Sequence, residues 1–284
     1  MNYIILALVA FGVFIQSLLQ KQYNIKMDGI SNANYVFNFI MSAGALLVTG
    51  LIYCFNITFN YKTFLFSFCF AATFSVSIVF QFLAIKSGPF SLTSLFISFS
   101  LIIPTLYGII FLKEKISVSG GMGIVFLIIS LIMVNKYKSE QKILKRWFLY
   151  IALAFVGNGL CSTIQKMFQT YQNGSSFEFM FFAMLFATFV FLSLLFFRRP
   201  QKIRNIIKAG GGYAVGTGVT NAAVNLAMIY LASRLDASVL YPGVSAGGLA
   251  LTFLFAVSIY KEKLNSVQYI GYFLGIVSII LLSL

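Results

Sequence analysis

The chain has 284 residues, of which 60% are hydrophobic, 17% aromatic and only 9% charged, with a mean hydropathy of +0.94. A soluble domain carries about 25% charged residues, so this inventory cannot cover a water-facing surface and most of the chain must meet lipid. The formal net charge of +14 does not point to nucleic acid, because the Lys and Arg fall in short gaps between apolar runs, the pattern that orients membrane proteins.

The first apolar run starts at Tyr3 without a basic stretch before it or a small-residue cleavage site after it. It is expected to stay in place as a membrane helix. Ten spans follow in order, at about 3–20, 33–55, 63–85, 90–111, 118–135, 147–165, 177–197, 210–232, 238–259 and 266–284. Most match the length that crosses a ~30 Å hydrocarbon core as a helix. The runs are continuous and not alternating, which excludes barrel strands. Gaps such as Lys86-Ser87-Gly88-Pro89 and Arg234-Leu235-Asp236 are tight, so neighbouring helices run antiparallel.

The chain repeats itself. Residues 83–136 laid on 231–284 match without a gap at Lys113-Glu114-Lys115 with Lys261-Glu262-Lys263, at Gly123 with Gly271 and at Ser130 with Ser278; Lys86 falls on Arg234. Nearer the start of each half, Gly12 meets Gly157, Ser17 meets Ser162, Gln20 meets Gln165 and Lys21 meets Lys166. The expected organisation is a five-helix repeat over 1–138 and a second over 146–284. Five is odd, so the second unit enters the membrane from the opposite side. The fold class expected is therefore an all-α integral membrane protein of ten transmembrane helices in two inverted repeats, the plan of many secondary transporters.

Much chemistry is excluded by residue type. The chain has no histidine, which removes the HExxH zinc site and the Ser-His-Asp triad. Cys54, Cys69 and Cys161 have no paired spacing and read as small lipid- or core-facing residues. No catalytic group, metal site or cofactor is expected. The six acids, Asp28, Glu114, Glu140, Glu178, Asp236 and Glu262, all avoid the middle of a span. That disfavours a proton antiport built on a membrane-embedded carboxylate, with Glu178 the remaining candidate for coupling.

Two stretches carry a resemblance to a known family: LAIKSGPFSLTSLFISFSLIIPTLYGIIFLKEKISVSGGMGIVFLIISLIMV and LASRLDASVLYPGVSAGGLALTFLFAVSIYKEKLNSVQYIGYFLGIVSIILL. With Ala84, Pro104, Glu114, Gly120 and Gly123 in the first half, and Ala232, Glu262, Gly271 and Gly275 in the second, the chain resembles the drug/metabolite transporter superfamily in its ten-helix EamA-like branch. The resemblance implies a central cavity lined by spans 1, 3, 4, 6, 8 and 9, and a small metabolite, often an amino acid, as solute. It departs from the family where a Gly before the helix-end Glu is replaced by Lys113 and Lys261. It departs again where the basic cluster follows span 7 instead of span 2.

Polar side chains inside spans are the candidates for the site, since they are costly in lipid and face the bundle or a cavity. Span 8 has Thr217, Asn221 and Asn225 at intervals of four; span 3 has Thr73, Ser77 and Gln81 at the same interval. Span 1 offers Gln16 and Gln20 on one face, and span 6 offers Asn158, Ser162 and Gln165. The competing reading is interhelical hydrogen bonding. Tyr241, beside Pro242-Gly243, reads as an aromatic wall or a kink. Lys21 and Lys166 read as cations snorkelling to the interface, and each KEK glutamate as a cap on the helix that follows it. Gly210 to Gly212, Gly216 and Gly218 make the start of span 8 a candidate hinge. Small residues in spans 5 and 10 suit close packing, in a monomer or a weak homodimer.

The function expected is secondary transport of a small metabolite, amino acid-like or another small organic solute, across the plasma membrane (the inner membrane of a bacterium) by alternating access through a central polar cavity, with export the expected direction. The partners are that solute and membrane lipid, not nucleic acid. A structural, chaperone or lipid-translocating membrane protein is the alternative, and a membrane enzyme a more remote one. Orientation follows from charge. With the N-terminus outside, fifteen of the 20 Lys and Arg fall in cytoplasmic gaps, including those of KYKSEQKILKR and RRPQKIRNIIK. The positive-inside rule thus predicts both termini outside. A reporter fused after Leu284 is expected to read as external; a C-terminal fluorescent fusion that is bright in the cytoplasm would overturn this orientation.

Overall fold

In a computed structural model of the protein, described over residues 2–53, 60–114, 117–136, 145–171, 175–200, 203–259, 261 and 265–282, the apolar runs are helical. The helices are α1 (Asn2–Lys26), α2 (Ala33–Ile52), α3 (Tyr61–Ser87), α4 (Phe90–Phe99), α5 (Ile102–Phe111), α6 (Val118–Lys136), α7 (Lys145–Tyr171), α8 (Ser176–Arg198), α9 (Ile203–Ala232), α10 (Ala237–Ser258) and α11 (Ser266–Leu282). Helix is the form lipid imposes, because each backbone N–H and C=O must find its partner within its own segment. Among the described residues, α1, α2, α3, Leu92–Phe111, α7, α8 and α9 are long and apolar enough to cross a membrane. Shorter apolar stretches lie within α10 and α11. Large apolar side chains such as Leu8, Leu51, Phe196, Phe197 and Phe273 point outward. This is a multi-pass membrane protein.

The span read as one helix over 90–111 is two. α4 ends at Phe99 and α5 starts at Ile102. Pro104 has no N–H to offer Ser100, and its ring crowds that carbonyl four residues back. The link tightens in response: Leu101 N–H reaches Ser98 O at 3.4 Å, and Ile103 N–H reaches Ser100 O at 3.1 Å, both one residue short of helical spacing. The glycine-dense start of α9 differs in the other direction, since α9 runs unbroken from Ile203 to Ala232. Its glycines make room for neighbours. A Cβ on Gly210 would strike the Tyr23 ring, and one on Gly218 would strike the Met41 carbonyl of α2.

Packing follows a paired scheme. α3 lies along α7, and α1 along α9. α2 packs on α9 and α8 on α3, α1 meets α10, and α7 meets both α4 and α5. Two glycines hold the α1–α9 and α3–α7 seams close. A Cβ at Gly12 of α1 would lie 2.5 Å from Val224 of α9, and one at Gly157 of α7 would lie 3.0 Å from Ser77 of α3. α6 and α11 spend their small-residue faces on each other, with Ser130 Oγ donating to Gly271 O at 2.6 Å.

The first KEK stretch is tied into this scheme in a way its position in the chain does not suggest. Ser117 Oγ, not Glu114, caps α6 by accepting the Gly120 N–H at 3.0 Å. Glu114 turns back instead. Its Oε1 accepts the Ala237 N–H at the start of α10 (3.5 Å) and pairs with Lys166 Nζ of α7 at 3.3 Å. Lys166 does not snorkel to the interface: it is 6% exposed, and it also donates to Leu235 O. The turn is possible because Lys113 adopts φ 55°, which lets the Glu114 N–H close onto Gly108 O at 3.1 Å. Lys261, the matching residue of the second stretch, has φ 50°. The left-handed region favours glycine, which accounts for the glycine that the resemblance places at these two positions. Glu262, Lys115 and Lys263 lie outside the described residues, as do Cys54 and Glu140.

Two measurements test this. Glu114→Gln and Lys166→Met each strand one buried partner, an effect of roughly 3–5 kcal/mol, and the double variant is expected to lose less than the two together. Strict additivity in thermal unfolding of purified protein would show that the residues do not act as a pair. Lys113→Gly and Lys261→Gly relieve the left-handed strain, and each is expected to raise stability by about 0.5–1 kcal/mol after the entropy of the added glycine is counted.

Candidate functional site

A cavity of about 150 Å³ lies between the two halves of the chain, walled by α1, α3, the α4–α5 link, α7, α9 and α10. A space of that size holds a molecule about as large as benzene. Among the described residues that form the wall, none is charged. A solute with net charge would be desolvated there without a counter-ion, at heavy cost. Among the described residues no three side chains are grouped so as to hold a metal ion.

Amides make the polar part of the wall, and they are joined in one direction. Gln165 Nε2 of α7 donates to Asn225 Oδ1 of α9 at 2.9 Å. Asn225 Nδ2 donates to Asn221 Oδ1 and to Asn221 O, at 3.1 and 3.0 Å. Asn221 Nδ2 donates to Gln16 Oε1 of α1 at 3.2 Å. The chain of donors ends at Gln16 Nε2, which is buried and has no partner. One turn along α1, Gln20 Oε1 is also buried without a partner, in a side chain that is 2% exposed. An open donor and an open acceptor thus sit on the same helix face, about 5–6 Å apart at their Cβ atoms. Buried polar groups are seldom left this way unless something else satisfies them.

Opposite, the break between α4 and α5 supplies polar backbone. Ser98 O accepts from Ser245 Oγ of α10 at 2.8 Å, and Ser100 Oγ accepts from Asn158 Nδ2 of α7 at 2.7 Å. Non-helical backbone at membrane depth is tolerated where it is buried in protein or lines a cavity, and here Ile97, Ser98 and Leu101 all reach the wall.

Of the residues picked out by spacing, Gln16, Gln20, Gln81, Asn158, Ser162, Gln165, Asn221 and Asn225 lie on the wall. Thr73, Ser77, Thr217 and Tyr241 do not. Thr73 Oγ1 donates to the Cys69 and Phe70 carbonyls and meets Cys161 Sγ at 3.2 Å. Ser77 Oγ donates to Ala154 O in the α3–α7 seam, and Thr217 Oγ1 to Tyr213 O on its own helix. Tyr241 OH donates to Ser162 O at 3.0 Å, one turn from the Glu114–Lys166 pair. Thr73 and Ser77, spaced on α3 as Asn221 and Asn225 are on α9, do not reach the cavity as those two do. Glu178 lies in the first turn of α8 and is not on the wall.

Residues that spacing missed are Ser94, Ser98, Ser245 and Thr252. Ser94 and Ser98 stand one turn apart, and Ser245 and Thr252 two turns apart. Pro104, four residues beyond Ser100, is the sequence signal for the break that exposes this side.

Comparison with known proteins gives two findings. Residues 145–284 match the EamA-like transporter family. A solved structure described only as "Crystal structure of protein" is similar with a TM-score of 0.66, covering 97% of this chain and 95% of its own, at 10% identity. At that identity the likeness concerns the fold. No curated protein matches the sequence. The second half of the chain is thus similar to the EamA-like transporter family, and the fold likeness extends over nearly the whole length.

Proposed function

We propose that this transporter moves a small solute of no net charge, a zwitterion such as an amino acid or a neutral polar metabolite, through the amide-lined cavity by alternating access. The observation that carries the reading is the pair of open groups on α1. Gln16 Nε2 and Gln20 Oε1 offer a donor for a carboxylate or carbonyl and an acceptor for an ammonium or hydroxyl. The neutral wall selects against net charge, and the cavity volume selects a small molecule.

In this reading the solute moves down its gradient, which for a metabolite made in the cytoplasm means export. Alternating access is supported by the packing. Exchanging the first five spans for the last five maps α3 on α7 to α9 on α1, α2 on α9 to α8 on α3, and α1 on α10 to α7 on α4 and α5. The matched glycines 12 and 157 hold equivalent seams. This supports ten spans in two inverted repeats, 1–138 and 146–284. Two such halves can exchange conformations and open the cavity to either side in turn. The Glu114–Lys166 pair, which joins the halves at one end, is the natural closure there. We place the protein in a cytoplasmic membrane, as a monomer, because α6 and α11 use their small-residue faces on each other.

The test is flux in liposomes loaded with a mixture of amino acids and neutral metabolites. Asn225→Leu breaks the amide chain at its centre, and leaving its partners unpaired is worth about 1–3 kcal/mol, so flux is expected to fall roughly tenfold to a hundredfold. Gln20→Met removes a buried acceptor that has no partner. It is expected to raise the unfolding midpoint by a few degrees while lowering flux. Flux unchanged in both variants would remove the cavity from the transport path, and a lowered midpoint in Gln20→Met would mean that Gln20 is structural.

A further inference from the structure

A second cavity, of about 190 Å³, lies away from the first and shares no lining residue with it. It is enclosed by the end of α1, the connection to α2, the first turn of α2 and the last turns of α3. We infer that it is a binding site for a small oxyanion of the phosphate type, unrelated to the solute path.

Three observations converge. Asn24 and Asn34, 9% and 8% exposed, both line this cavity, and the Nδ2 of each is buried without a partner. Two amide N–H groups left open in one small cavity call for an acceptor. The first turn of α2 adds to them. Its cap residue, Asn32, sits at φ 62° and makes no side-chain cap bond. Its Nδ2 is used elsewhere, donating to Arg198 O at 2.8 Å. The first turn of this twenty-residue helix lines the cavity with no side-chain cap, its Tyr35 N–H bonded to Asn32 O at 3.2 Å, and it brings the positive end of the helix dipole there. Lys86 of α3 is the one charged residue on the wall, and it is a cation.

The charges nearby agree with an anion. Asp28, in the same connection, is not on the wall, and its Oδ1 accepts the neighbouring Gly29 N–H. The Arg198 guanidinium lies 5.9 Å from the ring centre of Tyr35, itself a wall residue. The frame is rigid: Tyr23, Phe37 and Phe82 form a ring cluster with centroids 4.7 to 5.8 Å apart, and Tyr23 OH ties the end of α1 to Ala33 O at 2.7 Å. A hard acceptor with several oxygens can satisfy both amides, and its negative charge is matched by Lys86 and the positive end of α2, which a neutral guest does not use. Free phosphate and a phospholipid headgroup share that chemistry, and the mouth beside exposed Lys86 admits either.

The experiment uses the full chain purified in a non-phospholipid detergent. Thermal unfolding is followed against inorganic phosphate, with chloride at matched ionic strength, and separately against phosphatidylglycerol with diacylglycerol as the phosphate-free control. A saturable rise in midpoint with phosphate marks a free anion as ligand. A rise with phosphatidylglycerol alone marks the lipid headgroup. Either response is expected to vanish in Asn34→Leu, which keeps the fold because it replaces an unpaired buried amide with an apolar group of similar size. It is expected to need at least tenfold more ligand in Lys86→Met. No response to either ligand in the wild-type chain, or responses in both variants equal to wild type, would overturn the site.

Discussion

Lipid offers no hydrogen bonds, and that one constraint orders the whole protein. Each backbone group is matched within a helix, and each polar side chain within the bundle must be matched by another part of the chain or by a guest. Most are matched internally. Ser77 finds Ala154 O, Tyr241 finds Ser162 O and Trp147 Nε1 finds Thr93 Oγ1. Among the exceptions, Gln16 and Gln20 line the central cavity and Asn24 and Asn34 the α1–α2–α3 corner, while Asn38 and Ser75 are buried in neither.

The same constraint explains what could be read from the residues. Gln16, Gln20, Asn158, Gln165, Asn221 and Asn225 were legible because an amide carries both donors and an acceptor, which no helix can satisfy by itself. At an interval of four in an apolar run it must find a shared polar space. Hydroxyls mislead, because Ser and Thr can bond back to the carbonyl one turn earlier. Thr217 does so onto Tyr213 O, and Thr73 onto Cys69 O, and neither then needs a cavity. The spans themselves were legible from length and continuity, except where Pro104 divides one. The reach of Glu114 to Lys166 and Ala237 was not legible. A residue in a connection has no periodicity, and its partners are chosen by how two distant helices end side by side.

The amide chain has a sense of direction. From Gln165 through Asn225 and Asn221 to Gln16, each N–H points towards α1. Aligned bonds polarise one another in a low-dielectric interior, so the last donor, at Gln16, is stronger than an isolated amide. In the proposed reading, a guest that accepts there lies with its acceptor end towards α1.

One more consequence lies in the lone tryptophan. Trp147 stands at the start of α7, 1% exposed, its ring filling the space that Gly88 leaves open and its Nε1 bonded to Thr93 of α4. It is the only indole in the chain, against fifteen tyrosines, and it sits on the seam between the first half and the second. The protein therefore carries its own optical probe. Any motion that parts α4 from α7 breaks the Thr93 bond and wets the ring, and a red shift of emission reports it without a label. Emission that stays fixed when solute is added shows that the α4–α7 seam stays closed.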